Sequence, residues 1–203
     1  MKRVFAWAAA HLVAACYLLA LALWALWALG NAGWDALGFA TGRLTTVEVP
    51  LSSLQSQDIA LTGDGLWVTV GADPQFILAG GQPTRSVFLA TDAAPAGFEA
   101  YWAAAGQDFS LRRRVYAEAV EGGVLLVLPE GAATLRIDPA AGAGVVLAEG
   151  ENASLTVNPP VAFWRYFVPR AGQAQALAVL PAAAAVVADL GLFWKERLLK
   201  KRG

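Results

Sequence analysis

The side chains with the clearest chemical potential are three consecutive arginines, Arg112, Arg113 and Arg114. A guanidinium group presents a planar fork of N–H donors that binds phosphate or carboxylate groups through paired hydrogen bonds. On a β-strand, Arg112 and Arg114 would point to one side and Arg113 to the other. Two interpretations stay open: the cluster binds an anionic group of a lipid or glycan, or it defends an exposed edge strand by charge.

Carboxylates are the second group that could do chemistry. Glycoside hydrolysis requires two of them about 5–10 Å apart in a cleft, and nothing in the sequence pairs any two. Asp73 and Asp138 each precede a proline, which favours a turn. No loop has the dense oxygen-ligand spacing of a calcium site. The sequence therefore predicts structural turns here, with no catalytic residues, no metal and no cofactor.

Aromatic side chains form the third group. Trp67, Phe98, Tyr101 and Trp102 lie in apolar stretches, and strand alternation predicts that at least some of them leave the core face. Such rings can stack on sugars, whose C–H faces are apolar while their hydroxyls need a few polar partners. Packing in the core is the alternative for each ring.

Several chemistries are excluded by residue types that are absent between the two apolar runs of the chain. The single histidine, His11, and the single cysteine, Cys16, both lie in the first run. The region between the runs therefore has no thiol, no usual zinc site and no Ser-His-Asp triad. From residue 30 to residue 173, fourteen acidic residues outnumber eight arginines, so we predict no nucleic-acid partner.

Two apolar runs predict transmembrane helices in a chain that is 57% hydrophobic, with a mean hydropathy of +0.49. The first, Val4–Leu29, has no formal charge, and as a helix it would be about 39 Å long, enough to cross a hydrocarbon core of about 30 Å. A cleaved signal peptide is the alternative, but such segments have apolar regions of only about 7–15 residues. The second run, Ala174–Phe193, contains Pro181 and Asp189.

The lysines predict the orientation of these helices. All four, Lys2, Lys195, Lys200 and Lys201, flank the outer ends of the apolar runs. Basic residues beside hydrophobic segments stay on the cytoplasmic side. The chain is therefore predicted to cross the membrane twice, with both termini on the cytoplasmic side and the central region outside.

His11 and Asp189 are the ionisable residues inside the predicted spans. Counted from the cytoplasmic ends, both lie at a similar depth in the inner leaflet. Ionisable groups in membrane helices usually find partners, so one hypothesis is a contact between the two. The alternative is that each side chain reaches the headgroups separately.

The region between the helices has many short β-type runs separated by turn residues, and no convincing helix. This pattern predicts a mainly β domain, a jelly-roll-like β-sandwich inserted between two transmembrane helices. Gly80-Gly81 and Asp138-Pro139 are among the predicted turns. The predicted strands are Thr45–Leu51, Asp58–Thr62, Leu66–Val70, Gln75–Leu78, Ser86–Ala90, Phe98–Trp102, Phe109–Tyr116, Val124–Leu128, Thr134–Ile137, Val145–Ala148 and Ser154–Val157.

These features divide the chain into seven predicted parts. Residues 1–3 and 195–203 are cytoplasmic tails, and 4–29 and 174–194 are the membrane helices. Residues 30–44 are a linker, 45–160 the β-sandwich, and 161–173 an aromatic segment at the membrane interface.

Several short motifs in the β region carry a resemblance to a known group of modules. They are Thr69–Phe76 (TVGADPQF), Phe98–Trp102 (FEAYW), Phe109-Ser110, Leu135–Pro139 (LRIDP) and Gly142–Leu147 (GAGVVL). In this order they resemble the extracytoplasmic β-sandwich modules attached to bacterial membrane proteins of surface-glycan assembly, such as membrane glycosyltransferases. The resemblance covers about Leu66–Val157 and neither helix.

The resemblance implies a carbohydrate-binding-like fold without catalytic activity of its own. It implies a non-enzymatic accessory protein that binds or positions a glycan or glycolipid for a partner glycosyltransferase or transporter, a polytopic membrane protein. Only two spans flank the domain here, so the enzyme would be a separate subunit. The alternatives are a structural subunit of a membrane complex and, less favoured, a glycan-acting enzyme. The predicted ligand-binding residues are Trp67, Asp73, Gln75, Tyr101, Trp102, Arg112, Arg114 and Arg136.

Overall fold

A computed structural model of the chain describes residues 11–91, 97–169 and 171–200. The predicted tail over residues 1–3, the first part of the first apolar run and residues 201–203 lie outside the described residues. The described chain divides into two compact units, a helical unit from residues up to 36 and from 162 onward, and a β unit over Leu37–Val161.

The helical unit contains two long apolar helices, α1 (Leu12–Ala40) and α2 (Ala171–Lys200), and a 3₁₀ segment at Phe163–Phe167. Leu12–Ala40 and Gly172–Trp194 are each long and apolar enough to cross a membrane. Helix α1 continues through most of the predicted linker at 30–44, because no proline interrupts it and alanine and leucine favour the helix. It ends where the Leu44 N–H donates back to the Gly38 carbonyl, at 3.0 Å.

The β unit is a sandwich of two antiparallel sheets, which confirms the predicted fold class. The larger sheet has the order β1-β11-β5-β9-β6-β7, with β2 paired to β5 and β8 to β9, and the smaller has the order β10-β4-β3. The strands are β1 (Val47–Pro50), β2 (Gln55–Gln57), β3 (Ile59–Leu61), β4 (Leu66–Thr69), β5 (Gln75–Ala90), β6 (Glu99–Ala103), β7 (Arg114–Tyr116), β8 (Glu118–Val120), β9 (Gly123–Asp138), β10 (Val146–Glu149) and β11 (Ser154–Val157).

The core lies between the two sheets and consists of side chains from both. Trp67 and Leu147 of the smaller sheet belong to one buried cluster with Phe76, Leu126 and Leu135 of the larger. Burial of this apolar surface is the main force that holds the sheets together. On the larger sheet, the residues between the core-facing ones therefore point away from the core.

Each of the two longest strands, β5 and β9, covers two of the shorter strands predicted from the sequence. They pair along their lengths, and their register shifts between Ala79 and Ser86. Gly80 and Gly81, predicted as a turn, lie inside β5 with φ of 84° and 81°. This is the left-handed region that glycine enters without steric cost, so the pair forms an irregularity within a strand rather than a chain reversal.

A buried asparagine stabilises this irregularity. The Asn158 side chain is fully buried and accepts a hydrogen bond from the Arg85 N–H, at 2.6 Å, while its amide donates to the Pro83 carbonyl, at 3.0 Å. Its φ of 53° is one that asparagine tolerates better than most residues. The Asn158 side chain thus satisfies backbone groups where the shift in register leaves the ladder incomplete.

Candidate functional site

The face of the larger sheet that points away from the core carries a connected set of polar and aromatic side chains on β5, β6, β7 and β9. Antiparallel pairing sets Tyr101 opposite both Arg114 and Arg136, and Glu99 opposite both Tyr116 and Asp138. Side chains at such opposed positions lie close together. We call this set, with Asp73 and Gln75 at its border, the tyrosine–arginine face: Asp73, Gln75, Glu99, Tyr101, Arg114, Tyr116, Arg136 and Asp138.

Arg136 is the hub of one half of the face. Its Nε and Nη2 atoms donate to the two carboxylate oxygens of Asp138, at 2.7 and 2.8 Å, and Nη2 also donates to Asp73, at 2.8 Å. Gln75 donates to the other oxygen of Asp73, at 3.3 Å. The guanidinium carbon lies 5.5 Å from the centre of the Tyr101 ring, a cation–π distance. Arg136 therefore joins two carboxylates and an aromatic ring.

Glu99 organises the other half. The Tyr101 hydroxyl donates to one oxygen of Glu99, at 2.5 Å, and Arg114 approaches the other oxygen, at 3.5 Å. The Arg114 guanidinium carbon lies 4.8 Å from the centre of the Tyr116 ring. Tyr116 is 61% exposed, so an aromatic surface remains open to solvent beside the charged groups.

The pKa values of Asp138 and Tyr101 are raised, as are those of Arg114 and Arg136. Burial raises the pKa of Asp138, while the hydrogen bond from Arg136 opposes that shift and nearby Asp73 and Glu99 add to it. The hydrogen bond to Glu99 raises the pKa of Tyr101, and burial adds to the shift. The Tyr101 hydroxyl therefore keeps its proton at neutral pH and remains a donor.

Asp73 is held by a close approach between two loops. Its N–H donates to the Asp58 carboxylate, at 3.1 Å. A Cβ atom on Gly71 would lie 2.2 Å from that carboxylate, so only glycine leaves room for it. Gly71 thus allows Asp58 to fix the loop that presents Asp73 to Arg136.

The structure brings together five of the eight predicted binding residues: Asp73, Gln75, Tyr101, Arg114 and Arg136. It also shows that Asp138, predicted as part of a turn, is the last residue of β9 with a side chain that is only 13% exposed. Glu99 and Tyr116 were missed, although each lies two positions from a predicted residue on its strand, the spacing that shares a face.

The other three predicted binding residues lie elsewhere. Trp67 and Trp102 are core side chains, each 6% exposed, because their positions alternate with the outward-facing ones. The Trp67 ring packs edge-on against Phe76, so neither indole offers a face to a ligand. Arg112 belongs to a 3₁₀ turn at Leu111–Arg113, within the predicted strand Phe109–Tyr116, so it does not share the face of β7 by strand alternation.

In the helical unit, His11 and Asp189 line the same cleft between α1 and α2, together with Ala14 and Ala185. Their direct contact stays a prediction. Two polar links that the sequence did not predict join the segments of this unit. The Tyr17 hydroxyl donates to the Ala178 carbonyl, at 2.6 Å, and the Tyr166 hydroxyl donates to the buried carboxylate of Asp35, at 2.9 Å.

A second polar region lies at the edge between the two sheets. The Glu48 carboxylate accepts hydrogen bonds from Ser154 and Thr156, both at 2.7 Å, and these residues line a cleft with Glu149 and Asn152. Among the described residues, no group of three or more His, Cys, Asp or Glu side chains is placed to hold a metal ion. This cleft lacks the aromatic surface of the tyrosine–arginine face.

Comparison with known proteins yields little. No family model matches the chain, and no curated protein matches it. Among solved structures, a low-affinity xylan-binding module, CBM86, from the gut symbiont Roseburia intestinalis is similar at a TM-score of 0.32 and 15% identity, covering 56% of this chain and 91% of the module.

Proposed function

We propose that this protein is a membrane-anchored accessory protein that binds a glycan or glycolipid on the tyrosine–arginine face. The observation that carries the proposal is the half-exposed array of two tyrosine rings among amide, guanidinium and carboxylate groups on adjacent strands. Tyrosine rings suit the apolar faces of sugar rings, and the surrounding donors and acceptors suit their hydroxyls. A sheet backbone holds these groups in fixed positions.

A binding role fits the chemistry of the face better than catalysis. Asp73 and Asp138 both hydrogen-bond to Arg136, and Glu99 accepts from Tyr101. A general acid or base must be free to exchange a proton with the substrate, and these carboxylates are already engaged. We therefore propose a non-enzymatic protein with no cofactor.

The location that we propose is a bacterial cytoplasmic membrane. Two apolar helices flank the β unit, which is compatible with a two-pass membrane protein. Many large apolar side chains of the helices are exposed, such as Leu19 at 61%, Val179 at 62% and Val187 at 69%, as expected of surfaces that face lipid. The lysines at both ends favour cytoplasmic termini and an outward-facing β unit.

The most direct test of ligand binding is a glycan array probed with the intact protein in lipid nanodiscs. We expect a restricted set of glycans to bind, and Tyr116→Ala to weaken that binding about tenfold through the loss of one stacking surface. Leu111→Ala is the matched control, since it also truncates a large exposed side chain, 76% exposed, on the neighbouring turn. Binding that survives Tyr116→Ala but not Leu111→Ala would contradict the proposed site.

The accessory role predicts a polytopic glycosyltransferase or transporter as partner. Purification of the intact protein from its native membrane in mild detergent, followed by mass spectrometry, should recover such a partner. The competing function is a structural subunit without a ligand, which the exposed apolar surface of the helices would also allow. A recovered complex together with an array that shows no glycan binding would favour that function.

A further inference from the structure

The tyrosine–arginine face has a charge arrangement that bears on which glycans it can accept. Many bacterial and plant glycans carry carboxylate, sulfate or phosphate groups, and exposed arginines are the usual residues that bind them. The face has two arginines, Arg114 and Arg136. The face can bind an acidic glycan only if these arginines are available to the ligand.

Both arginines are already matched with carboxylates of the protein. Arg136 donates to Asp138 through two atoms, at 2.7 and 2.8 Å, and to Asp73, at 2.8 Å. Arg114 lies 3.5 Å from Glu99. A charge-assisted pair between Arg and a carboxylate has the same geometry that an acidic sugar would need. An acidic ligand would have to displace a carboxylate that is held in place by the sheet.

The acids of the face also outnumber its arginines. Asp73, Glu99 and Asp138 face two guanidinium groups, which leaves a net charge of −1. Asp58 adds a further carboxylate behind Asp73, where it accepts the Asp73 N–H at 3.1 Å. Asp138 is largely buried within this group, with its side chain 13% exposed. Counted over these five side chains, the face thus presents one more negative than positive charge close to the tyrosine rings.

We infer that the face selects glycans without acidic groups, and that it favours uncharged or amine-bearing sugars over uronates, sulfates and phosphates. The inference rests on the proposed function and specifies its substrate class. It also revises the interpretation of the arginines as anion-binding groups. In this interpretation, Arg114 and Arg136 hold the carboxylates and the tyrosine rings in position. The hydroxyl or amine groups of the sugar then bind the donors and acceptors that surround these arginine–carboxylate pairs. Like-charge juxtaposition is a strong means of rejecting the wrong partner.

The inference is tested with the intact protein in nanodiscs of zwitterionic lipid, because anionic lipids would themselves repel acidic glycans. The probe is an array that contains neutral, amine-bearing, uronate, sulfated and phosphorylated oligosaccharides. We expect the bound glycans to be neutral or amine-bearing. Introducing one carboxylate into a bound oligosaccharide should weaken its affinity at least about tenfold, a difference of about 1.4 kcal/mol.

Variants that each remove one negative charge provide a second test of the inferred selectivity. Asp73→Asn removes one negative charge beside Arg136, and Glu99→Gln removes the negative charge beside Arg114. Each variant should therefore raise the affinity for acidic glycans relative to neutral ones. Glu151→Gln is the matched control, because it removes the same charge from the turn between β10 and β11 and should leave the preference unchanged. Neutral glycans should still bind both variants, which reports an intact face.

These experiments distinguish a failure of the inferred selectivity from a failure of glycan binding itself. Acidic glycans among the strongest ligands of the wild type, or an unchanged preference in both Asp73→Asn and Glu99→Gln, would overturn the inferred selectivity while glycan binding itself stands. Failure to bind any glycan by a folded protein would overturn the proposed function, and the inferred selectivity with it.

Discussion

Asp138 and Arg136 illustrate how the environment of single residues shapes the tyrosine–arginine face. The carboxylate is largely removed from water, and Arg136 meets both of its oxygens. Partial burial disfavours the ionised form, while the guanidinium favours it. Burial prevails, so the pKa of Asp138 lies above the ordinary value of 3.8.

This shift predicts a pH dependence of stability with a definite sign. The folded protein holds the Asp138 proton more tightly than the unfolded chain does, so this stabilising contribution is fully present below pH 3.8 and is lost as pH rises through the raised pKa. Unfolding free energies of the wild type and Asp138→Asn, measured across the acidic range, should show the advantage of the wild type falling with rising pH. An advantage that grows with pH would show that the Arg136 pair dominates instead.

Asn158 gives a second prediction at the residue scale. Asn158→Ala leaves the Arg85 N–H and the Pro83 carbonyl without their side-chain partner, and each unsatisfied buried group costs about 1–3 kcal/mol. We expect a loss of about 3 kcal/mol in the free energy of unfolding, measured by denaturant titration of the β-sheet circular-dichroism signal. Asn152→Ala is the matched control, because it removes an asparagine side chain from an exposed turn and should lose little. Equal losses in the two variants would contradict this role.

At the scale of elements, the sequence predicted the positions of most strands, but not that short predicted strands join into the long strands β5 and β9. The last strand, Ser154–Val157, matches the structure residue for residue, because alternation and the following Asn-Pro-Pro define it locally. Gly80 and Gly81 interrupted the pattern of β5 as a turn would. Their place inside a strand depends on Asn158, which is far away in the sequence, and on pairing with β9. Local propensity does not contain such information.

Five of the eight binding residues predicted from the sequence lie on the tyrosine–arginine face. Asp73, Gln75, Tyr101, Arg114 and Arg136 were identified from residue type, and the structure adds Glu99, Tyr116 and Asp138 by strand register. Trp67 and Trp102 lie in the core and not on the face. The sequence does not state which face of a strand with aromatic residues at successive positions meets the core. That choice is made by packing against the second sheet.

The helical pair yields a prediction at the same scale. Pro181 has no N–H and disturbs the preceding turn of α2, and the Tyr17 hydroxyl donates to the Ala178 carbonyl within that turn, at 2.6 Å. Tyr17→Phe should weaken the pairing of the helices by about 1 kcal/mol, as measured by unfolding of the protein in mixed detergent micelles. In a Pro181→Ala background this cost should shrink, and an unchanged cost would argue against the proline-linked role.

For the whole molecule, the lysine distribution predicts which side of the membrane the β unit occupies. The chain has one cysteine, Cys16, so a Cys16→Ser background allows a single reporter thiol at the exposed position Ser110. We expect a membrane-impermeant maleimide to label Ser110→Cys in intact cells. Labelling only after permeabilisation would place the β unit in the cytoplasm and remove external glycans as ligands.

The tyrosine rings of the chain report directly on whether a glycan binds across the tyrosine–arginine face. The chain has four, of which Tyr101 and Tyr116 lie on the face and Tyr17 and Tyr166 lie in the helical unit. Hydroxyl-radical footprinting of the intact protein, with and without a bound glycan from the array, measures the protection of each ring in one experiment. Glycan binding on this face should lower the modification of Tyr101 and Tyr116 and leave that of Tyr17 and Tyr166 unchanged. Binding that leaves Tyr101 and Tyr116 fully reactive would contradict this expectation.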